Sequence, residues 1–212
     1  MSLERISYAT CYAYSPRGQG AVCACSREVR RRLKSGDQPS LLKYAQRVRE
    51  QAVRDAAYSE FFGEGVTLVP IPASRRYVPG ATLVSERLAI ALRDQGLATG
   101  IWPGLRRART VPKSAFAWIG ERPSVREHYE SFAVRGIENL GSPVRILMID
   151  DVITKGRTLF AAALRLHEAF PGAQIRAFAL ARTVGAGRGL ERLVDPCRGE
   201  IRWTGCDARR SP

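Results

Sequence analysis

Along this chain the apolar positions change period several times, and each change marks an element. Val144 to Ile149 is a nearly unbroken run of β-compatible residues. It ends in the adjacent carboxylates Asp150 and Asp151, followed by a turn containing Gly156. From Thr158 onward Leu159, Ala163, Leu166 and Phe170 recur at helical spacing and stop at Pro171-Gly172. A buried strand, a polar loop and an amphipathic helix are the elements such a pattern predicts.

The same reading extends in both directions. Tyr8, Tyr12 and Tyr14 at even spacing predict a short strand or hairpin before a turn at Pro16-Arg17-Gly18. Arg27 to Lys34 reads as a short basic helix with Val29 and Leu33 on one stripe. Ser40 is a candidate cap for a long helix carrying Leu41, Ala45, Val48, Ala52 and Ala56, expected to end near Gly63. Val66 to Pro72 predicts the first core strand, its prolines marking where ladder pairing stops. Ala81 to Gln95 predicts a helix stopped by Gly96, and Ile101 to Leu105 a weaker strand. Arg106 to Tyr129 has little periodicity and reads as a long loop. Gln174 to Ala181 predicts the last parallel strand. Gly185 to Gly189 reads as flexible, and the tail as an edge strand with a frayed end or a partner contact. Repeated strand–helix–strand order with right-handed crossovers implies an α/β fold, a mostly parallel sheet with helices on both faces.

The central junction carries chemistry. Backbone N–H groups of the loop and the helix N-terminus favour a dianion, Thr154 and Thr158 add hydroxyls, and Gly156 permits close approach or positive φ. Asp150 and Asp151 fall at the carboxyl end of their strand, where ligands of open α/β sheets collect, able to accept from ribose hydroxyls or hold water on magnesium.

Composition adds three constraints. Hydrophobic content of 45% and charged content of 25% are those of a globular protein. No apolar run approaches the roughly 18 residues of a membrane span and no signal core opens the chain, so a cytoplasmic protein is expected. A net charge of +14 attracts phosphates, nucleic acid and anionic surfaces, with arginine clusters at 27–32 and 106–109. General arginine enrichment of the genome accounts for that charge equally well. The five cysteines, Cys11, Cys23, Cys25, Cys197 and Cys206, lack paired C-x-x-C spacing. They read as reduced thiols, with a zinc site from Cys11, Cys23, Cys25 and a C-terminal cysteine as the alternative.

The stretch Asp150-Asp151-Val152-Ile153-Thr154-Lys155-Gly156-Arg157-Thr158 closely resembles the phosphoribosyl pyrophosphate (PRPP) loop of type I phosphoribosyltransferases. Leu33-Lys34-Ser35-Gly36-Asp37, Arg107-Ala108-Arg109-Thr110 and Arg126 to Phe132 resemble segments of the ComF (competence) branch of that family, with Tyr129 where asparagine is usual. The resemblance implies the type I phosphoribosyltransferase fold over residues 63–212, with residues 1–62 as a small N-terminal hood or flanking region. It implies PRPP as substrate with Mg²⁺, and a family lean to a homodimer. Thr154, Lys155, Gly156, Arg157 and Thr158 would hold the 5′-phosphate, and Asp150 and Asp151 the ribose diol and magnesium, through water. Ser74, Arg75 and Arg76 would meet pyrophosphate, and Lys113 on a closing loop would act as a catalytic cation. His128 stands between a general acid–base and a structural role. Thr154 occupies the place of the aspartate that acts on 6-oxopurines in that family, which disfavours hypoxanthine or guanine and leaves the nitrogenous acceptor unidentified. The alternative is a non-catalytic module that senses PRPP or a nucleotide and binds single-stranded nucleic acid during DNA uptake.

Overall fold

The computed structural model describes residues 3–75, 83–111, 123–139, 143–185 and 189–212. Seven strands form one sheet: β1 (Arg5–Tyr14), β2 (Gly63–Pro70), β3 (Ala98–Ile101), β6 (Arg145–Ile153), β7 (Gln174–Thr183), β8 (Val194–Trp203) and β9 (Ala208–Ser211). Their order is β3-β2-β6-β7-β1-β8-β9. All neighbours from β3 to β1 are parallel, and β8 and β9 join antiparallel. A separate antiparallel pair is made by β4 (Leu105–Arg107) and β5 (Phe132–Val134).

Helices cover both faces, as the strand–helix alternation implies. Along β6, Leu147 and Ile149 enter one apolar cluster while Ile146 and Met148 enter another. The first is completed by α1 (Ala21–Ser35), α2 (Gln38–Arg54), the short α3 (Ala56–Ser59) and α4 (Val84–Asp94), through Leu33, Leu41, Val48, Tyr58 and Leu88. The second is completed by α5 (Val125–Ser131) and α6 (Arg157–Ala169), through Val125, Leu159, Phe160 and Leu166. Each such fully buried side chain contributes about 2 kcal/mol of apolar transfer energy. A strand buried on both sides needs an unbroken apolar run, which is what Ile146 to Ile149 supplies. No helix among the described residues is long and apolar enough to cross a membrane.

Several boundaries differ from the sequence expectation. Residues 5–14, expected as a short strand or hairpin in a flanking region, form an interior strand between β7 and β8. The boundary expected at 62/63 therefore crosses a single sheet. Asp37, not Ser40, caps α2: its carboxylate accepts from Ser40 N at 3.1 Å, and Pro39 lies in the first turn, where its missing N–H costs no hydrogen bond. The long helix expected to run to Gly63 breaks at Asp55, whose Oδ1 accepts from Tyr58 N and restarts the chain as α3. The stretch 106–129, expected as loop, holds the end of β4 and most of α5.

The strand β8 was absent from the expectation because Pro196 and Gly199 disrupt its pattern. Pro196 is accommodated in a bulge. Thr10 pairs with Cys197 and Tyr12 with Val194, so Asp195 and Pro196 together stand opposite Cys11. The tail ends as the edge strand β9.

Candidate functional site

The five parallel strands end on one side of the sheet, and β6 brings Asp150 and Asp151 there. After Ile153 the chain turns through Thr154 and Lys155 into Gly156, the N-cap residue of α6. Gly156 has φ +87°, a region that side chains rarely adopt, and a Cβ there would lie 2.8 to 2.9 Å from Ile201 of β8. Both facts require glycine. The N-cap residue Gly156 supplies no side-chain cap to α6 and no acidic residue lies in its first turn, which leaves the positive dipole end of the helix at the strand ends.

The two carboxylates diverge, as adjacent strand residues do. Asp151 meets the end of α1, where Lys34 Nζ stands 4.0 Å from its Oδ2. Asp150 feels the positive charge of Arg107 from β4. Burial first, then the charge of Asp151, holds the Asp150 carboxyl well above the usual carboxylate range, with Arg107 opposing the shift. The Asp151 N–H donates to Asp150 Oδ1 at 2.8 Å, and the Val152 N–H donates to Asp151 Oδ1 at 2.8 Å. Among the described residues no group of three or more His, Cys, Asp or Glu could hold a metal ion. Two carboxylates still fit a hard cation such as magnesium, which is bound by one or two carboxylates plus ligand oxygens and water.

The remaining residues expected in the loop have separate fates. Thr154 Oγ1 lies 3.3 Å from Thr183 Oγ1 at the end of β7, and Lys155 is exposed. Thr158 Oγ1 lies 3.4 Å from His128 Nε2. Arg157 points elsewhere: its Nε and Nη2 donate to the two oxygens of Asp207 at 2.6 and 2.5 Å, and Nη1 donates to Pro123 O. That fork holds the turn before β9 against α6. Ser74 accepts at its carbonyl from Val111 N at 2.9 Å, and Arg75 is exposed. Arg76 and Lys113 lie outside the described residues.

A buried network behind Asp150 was not read from the sequence. Arg107, grouped there in a basic cluster with Arg106 and Arg109, is 2% exposed and lies 3.8 Å over the Phe132 ring. Its Nε donates to Ala73 O at 3.3 Å, Nη1 donates to Ser131 Oγ and Nη2 faces His128 Nδ1 at 3.0 Å. Arginine only donates, so Nδ1 accepts and the proton sits on Nε2, directed at Thr158 Oγ1. Burial, reinforced by Arg107, pushes the His128 pKa down to about 4. His128 is therefore neutral near pH 7. The only advance signal was Ser124-Val125-Arg126-Glu127, a capping-box pattern that starts α5, the helix bearing His128. Tyr129 faces α6, where its hydroxyl donates to Glu168 Oε1 at 2.5 Å and Arg165 covers its ring at 3.7 Å.

Other expected features disperse. Arg109 pairs with Glu130, and Arg31 and Arg32 share Glu28. The cysteines are free and do not assemble; burial pushes the Cys11 thiol up to about 12, which leaves it protonated. A groove of about 530 Å³, lined by Tyr58, Phe61, Arg176, Cys197 and Arg198, opens at the opposite end of the sheet, where the parallel strands begin. It shares no residue with the Asp150–Thr158 edge. No protein-family model matches this chain, and no curated protein matches it in sequence.

Proposed function

We propose that the chain binds magnesium–PRPP on a fold of the type I phosphoribosyltransferase kind and transfers phosphoribose to a nitrogenous acceptor, releasing pyrophosphate. One observation carries the reading: the uncapped N-terminus of α6, entered through Gly156, stands at the same sheet edge as Asp150 and Asp151. A sugar phosphate has matching chemistry, a dianion for the helix end and a diol for the carboxylates.

The α6 N–H groups with Thr154 and Thr158 hold the 5′-phosphate, and His128 keeps the Thr158 hydroxyl oriented. Asp150 and Asp151 accept from the ribose hydroxyls and would hold magnesium, which when bound would supply charge neutralisation for the leaving diphosphate. Ser74 and Arg75 meet that diphosphate. The bond from the ribose anomeric carbon to diphosphate breaks through an oxocarbenium-like state, the acceptor nitrogen forms the new bond, and diphosphate carries away the electron pair. Little covalent work falls to the protein; its part is positioning and electrostatic stabilisation.

The test is calorimetric titration of PRPP with magnesium into the wild type and the double variant Asp150→Asn/Asp151→Asn. Micromolar binding by the wild type and none by the variant is expected. The variant should melt no lower than the wild type. Asp150 has a raised pKa, so its contribution favours folding below the unfolded value and turns unfavourable as pH rises; removing the charge relieves that cost at neutral pH. Absence of wild-type binding sinks the proposal.

A second reading, a non-catalytic PRPP or nucleotide sensor that binds single-stranded nucleic acid, rests on the net charge of +14. It requires oligonucleotide affinity that falls steeply with salt, together with PRPP binding and no pyrophosphate release.

A further inference from the structure

One side chain at the Asp150–Asp151 edge comes from a helix assigned above to the flanking region. Lys34 lies in the last turn of α1, with Nζ 4.0 Å from Asp151 Oδ2. Neighbouring residues fix the backbone of that turn. Leu33, 1% exposed, seats that turn of α1 in the core. Gly36, at φ +74°, ends the helix: its N–H reaches Leu33 O at 3.3 Å, and the Asp37 N–H reaches Arg32 O at 3.2 Å. Arg87 of α4 locks the turn, its Nη1 standing 1.6 Å from where a Cβ on Gly36 would be and lying 3.4 Å from Ser35 O, to which it donates.

Stability does not account for the pairing. The side chains of Lys34 and Asp151 are 47% and 25% exposed, and an ion pair of that kind contributes about 0–1 kcal/mol. What the geometry achieves is placement of a compact, strongly hydrated charge on a flexible stem beside the strand ends. An anion arriving there meets a cation that stands 4.0 Å from Asp151 and competes for its charge.

We infer that Lys34 is a ligand-binding residue of this site, the counter-ion of Asp151 in the free protein that turns to the diphosphate of the donor when the donor binds. This rests on the phosphoribosyl reading above. The exchange is electrostatic and makes or breaks no covalent bond. It leaves the Asp151 oxygens to the ribose and its magnesium, and it gives the leaving group a cation from the N-terminal part of the chain.

The test titrates the full chain as wild type, Lys34→Gln and Lys34→Arg with PRPP, inorganic pyrophosphate and ribose 5-phosphate, each with magnesium. Loss of one charge-assisted contact corresponds to roughly tenfold to hundredfold in affinity. Lys34→Gln should lose that much for PRPP and pyrophosphate, leave ribose 5-phosphate unchanged, and be largely rescued in Lys34→Arg. Equal pyrophosphate affinity in wild type and Lys34→Gln overturns the inference and leaves the donor site standing. A parallel loss for ribose 5-phosphate makes Lys34 a structural prop and overturns it too. A wild type that binds no PRPP overturns the inference and the phosphoribosyl reading together.

Discussion

At residue 156 the backbone leaves no choice of side chain. Its φ of +87° costs an L-residue about 1–3 kcal/mol, and a methyl group there would press on Ile201. Gly156→Ala should therefore lower unfolding free energy by about 2 kcal/mol in urea and weaken PRPP binding at the same time. A variant as stable as the wild type would show that the turn before α6 relaxes freely. The neighbouring residues show how far identity alone reaches. Gly156 could be read as a turn glycine from its place between strand and helix, but the opposing contact came from β8, 45 residues away in sequence. Arg107 and Arg109 look alike in one basic cluster, yet the first is buried against Phe132 and the second pairs with Glu130 at the surface.

The short elements β4 and α5 are where periodicity failed and packing prevailed. Three and seven residues are too few for a repeat to stand out, so the helix rests on its Ser124–Glu127 capping box and on burial of Val125, His128 and Ser131. Its contribution to stability should depend on pH. The folded protein keeps His128 neutral down to about pH 4, whereas the unfolded chain takes up a proton near 6.5. The unfolded state then binds more protons below pH 6.5. This contribution is intact above 6.5 and is lost as pH falls from 6.5 to 4, a total of about 3 kcal/mol. Urea unfolding at pH 7, 5.5 and 4.5 should show that fall in the wild type and a flatter profile in His128→Asn. An equally steep profile in the variant would assign the acid sensitivity to other groups.

For the molecule as a whole, the decisive feature is that the first strand closes the middle of the sheet. β1 pairs with β7 on one side and β8 on the other, so removing it would leave two unpaired edges and expose Phe178 and Leu180 on one face and Ile201 on the other. A chain beginning at residue 63 should show no cooperative thermal transition and little near-ultraviolet circular dichroism. A sharp transition from that fragment would show that residues 63–212 fold without the first strand. Local pattern was enough to specify the strand–loop–helix around Asp150 and the α/β class, because a strand buried on both faces and an amphipathic helix are written in neighbouring residues. It was not enough to place Tyr8 to Tyr14 between strands more than 160 residues distant, to bury Arg107 against His128, or to bring Lys34 to Asp151. Those are long-range contacts: many pairings satisfy the same local periods, and the competition among them is resolved only when the assembled sheet and its two apolar faces are packed together.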